Sequence, residues 1–475
     1  MPSAPRALTA VTEQSGCDDR KLLPMDRQRL LENPYRPGAG HEPPLFAGRH
    51  DEQKFFRRVL FQNPVMENIL ITGLRGMGKT VLLDSTRKVA EEAGWLWVGN
   101  DLSESASLSE ERLALRILTD LATAIADKMG QDNANPANMN ARLNQRLDRA
   151  QQGENEALTF DSLKSQFERA PGLPSDRLKS VLLRVTTLLQ KARFSGLILA
   201  YDEAQCLNDH AERNEFPMSM LIETVCALQK REGVSSCLLI LSGLPHVYDA
   251  LTATRTYTER MFHVMTLDRL TWDDTRAALL TPLAKLMPPL RASRELLAKA
   301  VELTGGYPYL IQFVGKELVE QILENGGTLT AEEFPSSGTL DRLDAGIFAA
   351  RWNKTTDRQR EFLQLIANRP SQSGPDFSAN EIIPHDDAGG FGATANQMLL
   401  ALTDRGLIYR TRHGRYAFTV PMSEAMIQRR QQREEDLNAG WGPPHREPQT
   451  HQLQSGFEEA PVEAPKPKKS RGWFR

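Results

Sequence analysis

Asn68-Ile-Leu-Ile-Thr-Gly-Leu-Arg-Gly-Met-Gly-Lys-Thr80 is the stretch around which the chain reads. Its apolar run Ile69-Leu70-Ile71 predicts a buried strand, and Val81 to Ala93 carries a helical pattern that Gly94 closes. Between them lie Gly73, Leu74, Arg75, Gly76, Met77, Gly78, Lys79 and Thr80, which fit the pattern G-x-x-x-x-G-K-[ST]. Each residue type has a task. The glycines let the main chain turn tightly, so that its N–H groups converge on a phosphate, and the following helix adds its positive end. Lys79 supplies a charge that reaches β- and γ-phosphates, and the Thr80 hydroxyl is a ligand for Mg2+. The competing reading is a glycine-rich turn with an incidental lysine; the strand before and the helix after weigh against it.

Composition bounds the remainder. A chain of 475 residues, 40% apolar and 25% charged, holds two or three globular domains. A net charge of −3 gives no global attraction to nucleic acid, so any such surface is local. Cys17, Cys206, Cys226 and Cys237 form no C-x-x-C pair, and Cys226 and Cys237 sit among apolar residues as buried thiols would. That usage suits a reducing compartment. No apolar run is long enough to span a bilayer and no basic-then-apolar leader opens the chain, so the expected location is cytoplasmic.

The second signal is Gly196-Leu-Ile-Leu-Ala-Tyr-Asp-Glu-Ala-Gln205, an apolar strand ending in two acids. Beside a phosphate loop, Asp202 would hold Mg2+ through water and Glu203 would polarise an attacking water. Acids that merely cap the next helix are the alternative. Ser236 to Pro245 is a third buried-strand run with Ser242 at its end, where phosphate-loop ATPases carry a polar side chain that senses the γ-phosphate. Arg260 precedes a further strand, a place from which an arginine reaches a neighbouring subunit's γ-phosphate; a surface ion pair is the other reading. Ahead of all these, the Pro/Gly-rich segment from Asn33 to Pro44 leads into Gly48-Arg49 and a helix. It reads either as the lining of an adenine pocket or as an ordinary helix cap.

Strands that are apolar throughout, alternating with helices, predict an α/β fold with a parallel sheet and a ligand at the strands' carboxyl ends. The expected organisation is a flexible lead over 1–32, a phosphate-loop core over 33–268 with a mobile insertion at 131–157, and a helical lid over 269–340. A winged helix-turn-helix over 341–430 and a disordered tail over 431–475 follow. The wing is the hairpin Leu407 to Val420, turning at His413-Gly414. It offers Arg410, Arg412 and Arg415 to DNA phosphates, yet residues 341–430 hold only 12 Lys/Arg against 10 Asp/Glu. DNA and protein therefore both stand as its partner.

Taken in order, Gly73 to Thr80, Asp202-Glu203, Ser242, Arg260 and Gly306-Tyr-Pro308 resemble AAA+/STAND-class P-loop ATPases, most nearly those with an origin-recognition-complex-like AAA domain. The resemblance covers Phe46 to Gln321, and a winged helix after it fits. It implies binding of ATP and Mg2+, slow hydrolysis to ADP and phosphate, and nucleotide-dependent switching, with a homo-oligomer or a protein partner in view. It also implies that Gly306 and Pro308 touch the nucleotide from the lid. One departure stands out: no arginine adjoins that lid motif, which argues against a vigorous ring motor. Two other functions remain open, an ATP-regulated DNA-binding protein and a STAND-like signalling adaptor with little hydrolysis.

Overall fold

All five residues of Asn68–Thr72 (β1) are buried, as a strand flanked on both sides must be. The computed structural model describes residues 32–438 apart from 39, 63–64, 66, 131–157, 231–235, 255–257, 288, 370–375, 383–390, 393, 413 and 421. The expected lead before residue 32, the insertion at 131–157, the hairpin tip at His413 and the tail from 439 onward lie outside the described residues.

Four further strands join β1: Trp95–Val98 (β2), Gly196–Tyr201 (β3), Ser236–Gly243 (β4) and Phe262–Thr266 (β5). They run parallel in the order β2-β3-β4-β1-β5, with Ile69 opposite Ile240 on one side and His263 on the other. Alternate side chains feed two apolar layers. Leu70, Leu199, Leu239 and Leu241 pack on helices Glu110–Gly130, Pro174–Lys191 and Pro217–Gln229. Ile69, Ile71, Ile198 and Ile240 face Phe56 and Leu82, from helices His50–Leu60 and Lys79–Glu92. Each such side chain contributes about 1.5–3 kcal/mol by leaving water, so the two layers hold the sheet flat between helices. Asn68 is the polar exception. It is 1% exposed, and its Oδ1 accepts hydrogen bonds from the Leu239 amide at 3.0 Å and the Gln229 side chain at 2.8 Å, pinning β1 to β4.

Helices Trp272–Lys285, Arg294–Thr304 and Pro308–Glu324 form a lid with its own core around Leu279, Leu283, Leu318 and Phe334. Thr271 and Ser293 cap the first two by accepting the Asp274 and Leu296 amides. Tyr35 reaches into this lid from the N-terminal segment. It is 2% exposed and donates its hydroxyl to the Leu279 carbonyl. Its ring lies on Gly315, where a Cβ would stand 2.5 Å from a ring carbon.

The chain does not break at residue 340. A helical run through Ser337–Leu343, a π turn at Asp344–Phe348, and Ala349–Trp352 crosses that boundary. Helices Asp357–Ala367, Ala379–Ile382 and Ala395–Asp404 follow. With them comes an antiparallel sheet β6-β8-β7, formed by Asp376–Phe377, Arg415–Phe418 and Ile408–Arg412. The hairpin thus gains a third strand of two residues, too short to show a pattern in sequence. A second difference lies at the end of the module: helix Ser423–Asn438 continues past residue 430, where disorder was expected. Gln431–Glu435 and Gln432–Asp436 bond at helical spacing, and Arg429 pairs with Asp344 at 2.7 Å. Polar residues there are the solvent face of an anchored helix. Among the described residues no helix is long and apolar enough to cross a membrane.

Candidate functional site

Gly73 to Gly78 join the end of β1 to helix Lys79–Glu92, so the loop stands at the carboxyl edge of the sheet. Gly78 caps that helix in a left-handed conformation, with φ +85°. The Lys79 ammonium turns back and donates to the carbonyls of Gly73 and Leu74, both at 3.0 Å. Burial pulls its pKa below the ordinary lysine value; Asp202 and Glu203 draw it up again, and Arg75 pushes it down.

From β3, next-but-one to β1 in the sheet, Asp202 meets the loop. Its Oδ2 accepts the Thr80 hydroxyl at 2.5 Å, and its Oδ1 accepts the Glu203 amide at 2.8 Å. Glu203 holds a left-handed backbone, φ 55° and ψ 36°, a conformation that costs a non-glycine residue of order 1–3 kcal/mol and concentrates at functional sites. Gln205 donates to the Glu203 carboxylate and its Oε1 accepts the Leu244 amide at 3.2 Å. The acidic turn is thereby tied to the loop that follows β4.

The Thr80 and Asp202 oxygens fit Mg2+ by their chemistry, since both are hard ligands already brought together. Burial and then the Asp202 charge raise the carboxyl pKa of Asp101, which bridges to Asp202 from the end of β2. A divalent cation would relieve that crowding. Among the described residues no group of three His, Cys, Asp or Glu gathers as a metal cage.

A cavity of about 430 Å3 opens over the loop, a size ordinary for a small-molecule site. Lys79, Thr80, Asp202 and Glu203 line one part of it, while Phe46, Ala47 and Ile311 wall another with apolar surface. The extended segment before helix His50–Leu60 therefore lines the cavity, and Arg49 also stands at that helix's N-cap. Arg49, only 7% exposed, bonds the carbonyls of Met77 at 3.3 Å and Asp268 at 2.6 Å.

The lid reaches the same loop. Pro308 lines the cavity, and Gly306, at φ +74°, lies so close to the Leu270 carbonyl that a Cβ would be 2.3 Å from its oxygen. The neighbouring residues do the bonding: Tyr307 donates its hydroxyl to the Arg75 carbonyl, and the Tyr309 amide donates to the Gly76 carbonyl at 3.2 Å. Sequence reasoning missed Tyr307, Tyr309 and Gln205. The aromatic residues on either side of Pro308 were the signal for the first two.

Of the expected residues, Gly73, Leu74, Ser242, Arg260 and Gly306 do not line this cavity. Ser242 is fully buried at the end of β4, opposite Ile71, and its hydroxyl has no partner among the described residues; it does not line the cavity. Arg260 is exposed on the turn Thr258–Arg260, away from the cavity, so within one chain it does not serve this site.

Arg415 corrects the reading of the wing as three open cations. Its guanidinium bonds Asp376 at 2.9 Å and Glu381 at 2.7 Å, stapling β8 to β6 and the short helix Ala379–Ile382. Those bonds hold both carboxyls below their usual range. Arg412 is 3.8 Å from Asp376 and largely exposed. Tyr409 of β7 looks the other way, lining a cavity of about 340 Å3 with Gly73, Leu74, Asp268 and Arg269 behind the phosphate loop.

Comparison with known proteins gives two matched regions. Residues 45–240 match the AAA ATPase domain family, and residues 345–427 match a domain of unknown function, DUF8462. The ORC2 protein of Aeropyrum pernix, in its ADPNP–ADP complexes, is 13% identical with a TM-score of 0.50, over 83% of this chain and 98% of that one. Cdc6p of Pyrobaculum aerophilum is 13% identical with a TM-score of 0.40, over 84% and 97%. The ORC1 protein of Aeropyrum pernix in complex with DNA is also 13% identical with a TM-score of 0.40, over 85% and 97%. At 13% identity the likeness to the ORC2 protein is one of fold alone. No curated protein matches the sequence.

Proposed function

We propose, from the premise that residues 45–240 carry an AAA ATPase domain, that the chain binds ATP with Mg2+ and works as a slow, nucleotide-dependent switch. One observation carries this reading: Lys79, Thr80, Asp202 and Glu203 converge on a single cavity while the lid grips the same loop through Tyr307 and Tyr309.

Lys79 leaves the Gly73 and Leu74 carbonyls for phosphate oxygens, exchanging two neutral acceptors for charged ones. Thr80, and Asp202 through water, would hold Mg2+, which would supply positive charge against the phosphates. Glu203 orients water toward the γ-phosphorus and takes up its proton as ADP leaves. Gln205, bonded to that carboxylate, keeps it in place. Pro308 and Gly306 set the lid turn against the nucleotide, so that a change in the loop moves the lid.

Nucleotide titration and turnover test the reading. Lys79→Ala should lose ATP binding, whereas Glu203→Gln should bind ATP as the parent does and hydrolyse it about 100-fold or more slowly. Normal ATP binding by Lys79→Ala would refute the proposal.

The C-terminal module engages the switch's partner as a winged helix in this reading. DNA is one candidate, since Arg410 and Arg412 lie on β7 away from the core. A protein partner, or a second copy of the chain reached by Arg260, is the other. Duplex anisotropy at two salt concentrations, with and without ATP-Mg2+, separates them: phosphate contacts give a steep salt slope.

A further inference from the structure

We infer that Arg75 is a ligand of the γ-phosphate, acting within its own chain and giving the site its preference for a nucleoside triphosphate over a diphosphate. The inference rests on the ATP-binding reading above.

Three observations carry it. First, Arg75 lines the same cavity as Lys79, Asp202 and Glu203, from the middle of the phosphate loop. Second, its charge acts on Lys79 and on the Cys206 thiol, which follows Glu203 in the turn Ala204–Cys206. The loop that carries Arg75 meets the acidic strand through the Thr80–Asp202 hydrogen bond, the end of the cavity where the γ-phosphate would lie. Third, among the described residues no carboxylate pairs with Arg75. Glu203, which lines the same cavity, is bonded by Gln205 instead.

The main chain beneath Arg75 is fixed. Its carbonyl accepts the Tyr307 hydroxyl, and the next carbonyl, of Gly76, accepts the Tyr309 amide. Two cations, Lys79 and Arg75, thus face one space from a braced loop, which the Asp202 and Glu203 carboxylates also line. A planar guanidinium suits the γ-phosphate, whose terminal oxygens accept two N–H bonds side by side. A diphosphate would lack those oxygens. The charge that Arg260 does not bring to this site from its own chain is supplied by Arg75.

The test compares fluorescent ATP and ADP analogues, each with Mg2+, on the full chain and on Arg75→Ala and Arg75→Lys. The side chain is exposed, so both variants keep the fold. The expected result is that Arg75→Ala weakens ATP binding about ten-fold and leaves ADP binding within two-fold, a loss typical of one charged hydrogen-bonding partner. Arg75→Lys should recover part of it. If the ATP and ADP affinities fall together, or neither moves while the parent binds both, the assignment of Arg75 is overturned and ATP binding stands. If the parent binds neither nucleotide, the reading beneath it fails and takes the assignment with it.

Discussion

Lys79 shows how far a single residue can be read from sequence. Its motif is contiguous because phosphate chemistry demands neighbours, and Asp202-Glu203 is legible for the same reason. Tyr307, Tyr309 and Gln205 were not, since the two tyrosines bond loop carbonyls far away in sequence and Gln205 ties Glu203 to the Leu244 amide. The lysine also yields a prediction with a definite sign. Burial holds its folded pKa below the unfolded value, so between those two values the unfolded chain binds more protons and stability rises with pH. Burial in the empty site therefore disfavours the lysine's charged form. Lys79→Met should melt no lower than the parent without nucleotide, and should lose the rise in melting temperature that ATP-Mg2+ gives the parent. Thermal scans with and without nucleotide check both halves.

At the scale of elements, strands β1 to β4 could be foreseen because both of their faces are apolar, whereas β5, at the sheet edge, buries only Phe262 and Met265. The two-residue strand β6 and the polar last helix could not, because each is defined by partners on other elements. Asn68 offers a sharp test of the sheet. Asn68→Ala leaves the buried Leu239 amide unpaired and should cost about 1–3 kcal/mol in urea unfolding. The N-terminal segment offers another. Tyr35→Ala removes a ring packed on Gly315 and should destabilise the lid by about 3–5 kcal/mol if the local structure unfolds with the whole. Hydrogen exchange across Pro308–Glu324 would show the loss locally. In the C-terminal module, Arg415→Ala should loosen the β6–β8 pairing, read as faster exchange at Phe377. It should leave the salt slope of any duplex binding unchanged, while Arg412→Ala lowers that slope.

For the whole molecule, the three parts meet on one short strip, Asp268 to Leu270. Arg49 holds its first carbonyl, the Gly306 carbonyl accepts the Leu270 amide at 2.8 Å, and Tyr409 faces it from the C-terminal sheet. Tyr409→Ala should therefore alter ATP affinity although its side chain lies behind the loop, outside the nucleotide cavity; unchanged titration curves would show the modules to be independent.

That Tyr409 stands against the back of the phosphate loop also turns an unknown partner into a measurable one. Equilibrium coupling is reciprocal: whatever factor ATP applies to the partner's affinity, the partner must apply to ATP's. A displaced fluorescent nucleotide is then a reporter for the far side of the molecule. The physiological partner of the C-terminal module is the compound, duplex or protein whose addition shifts the nucleotide titration in the parent and leaves it still in Tyr409→Ala.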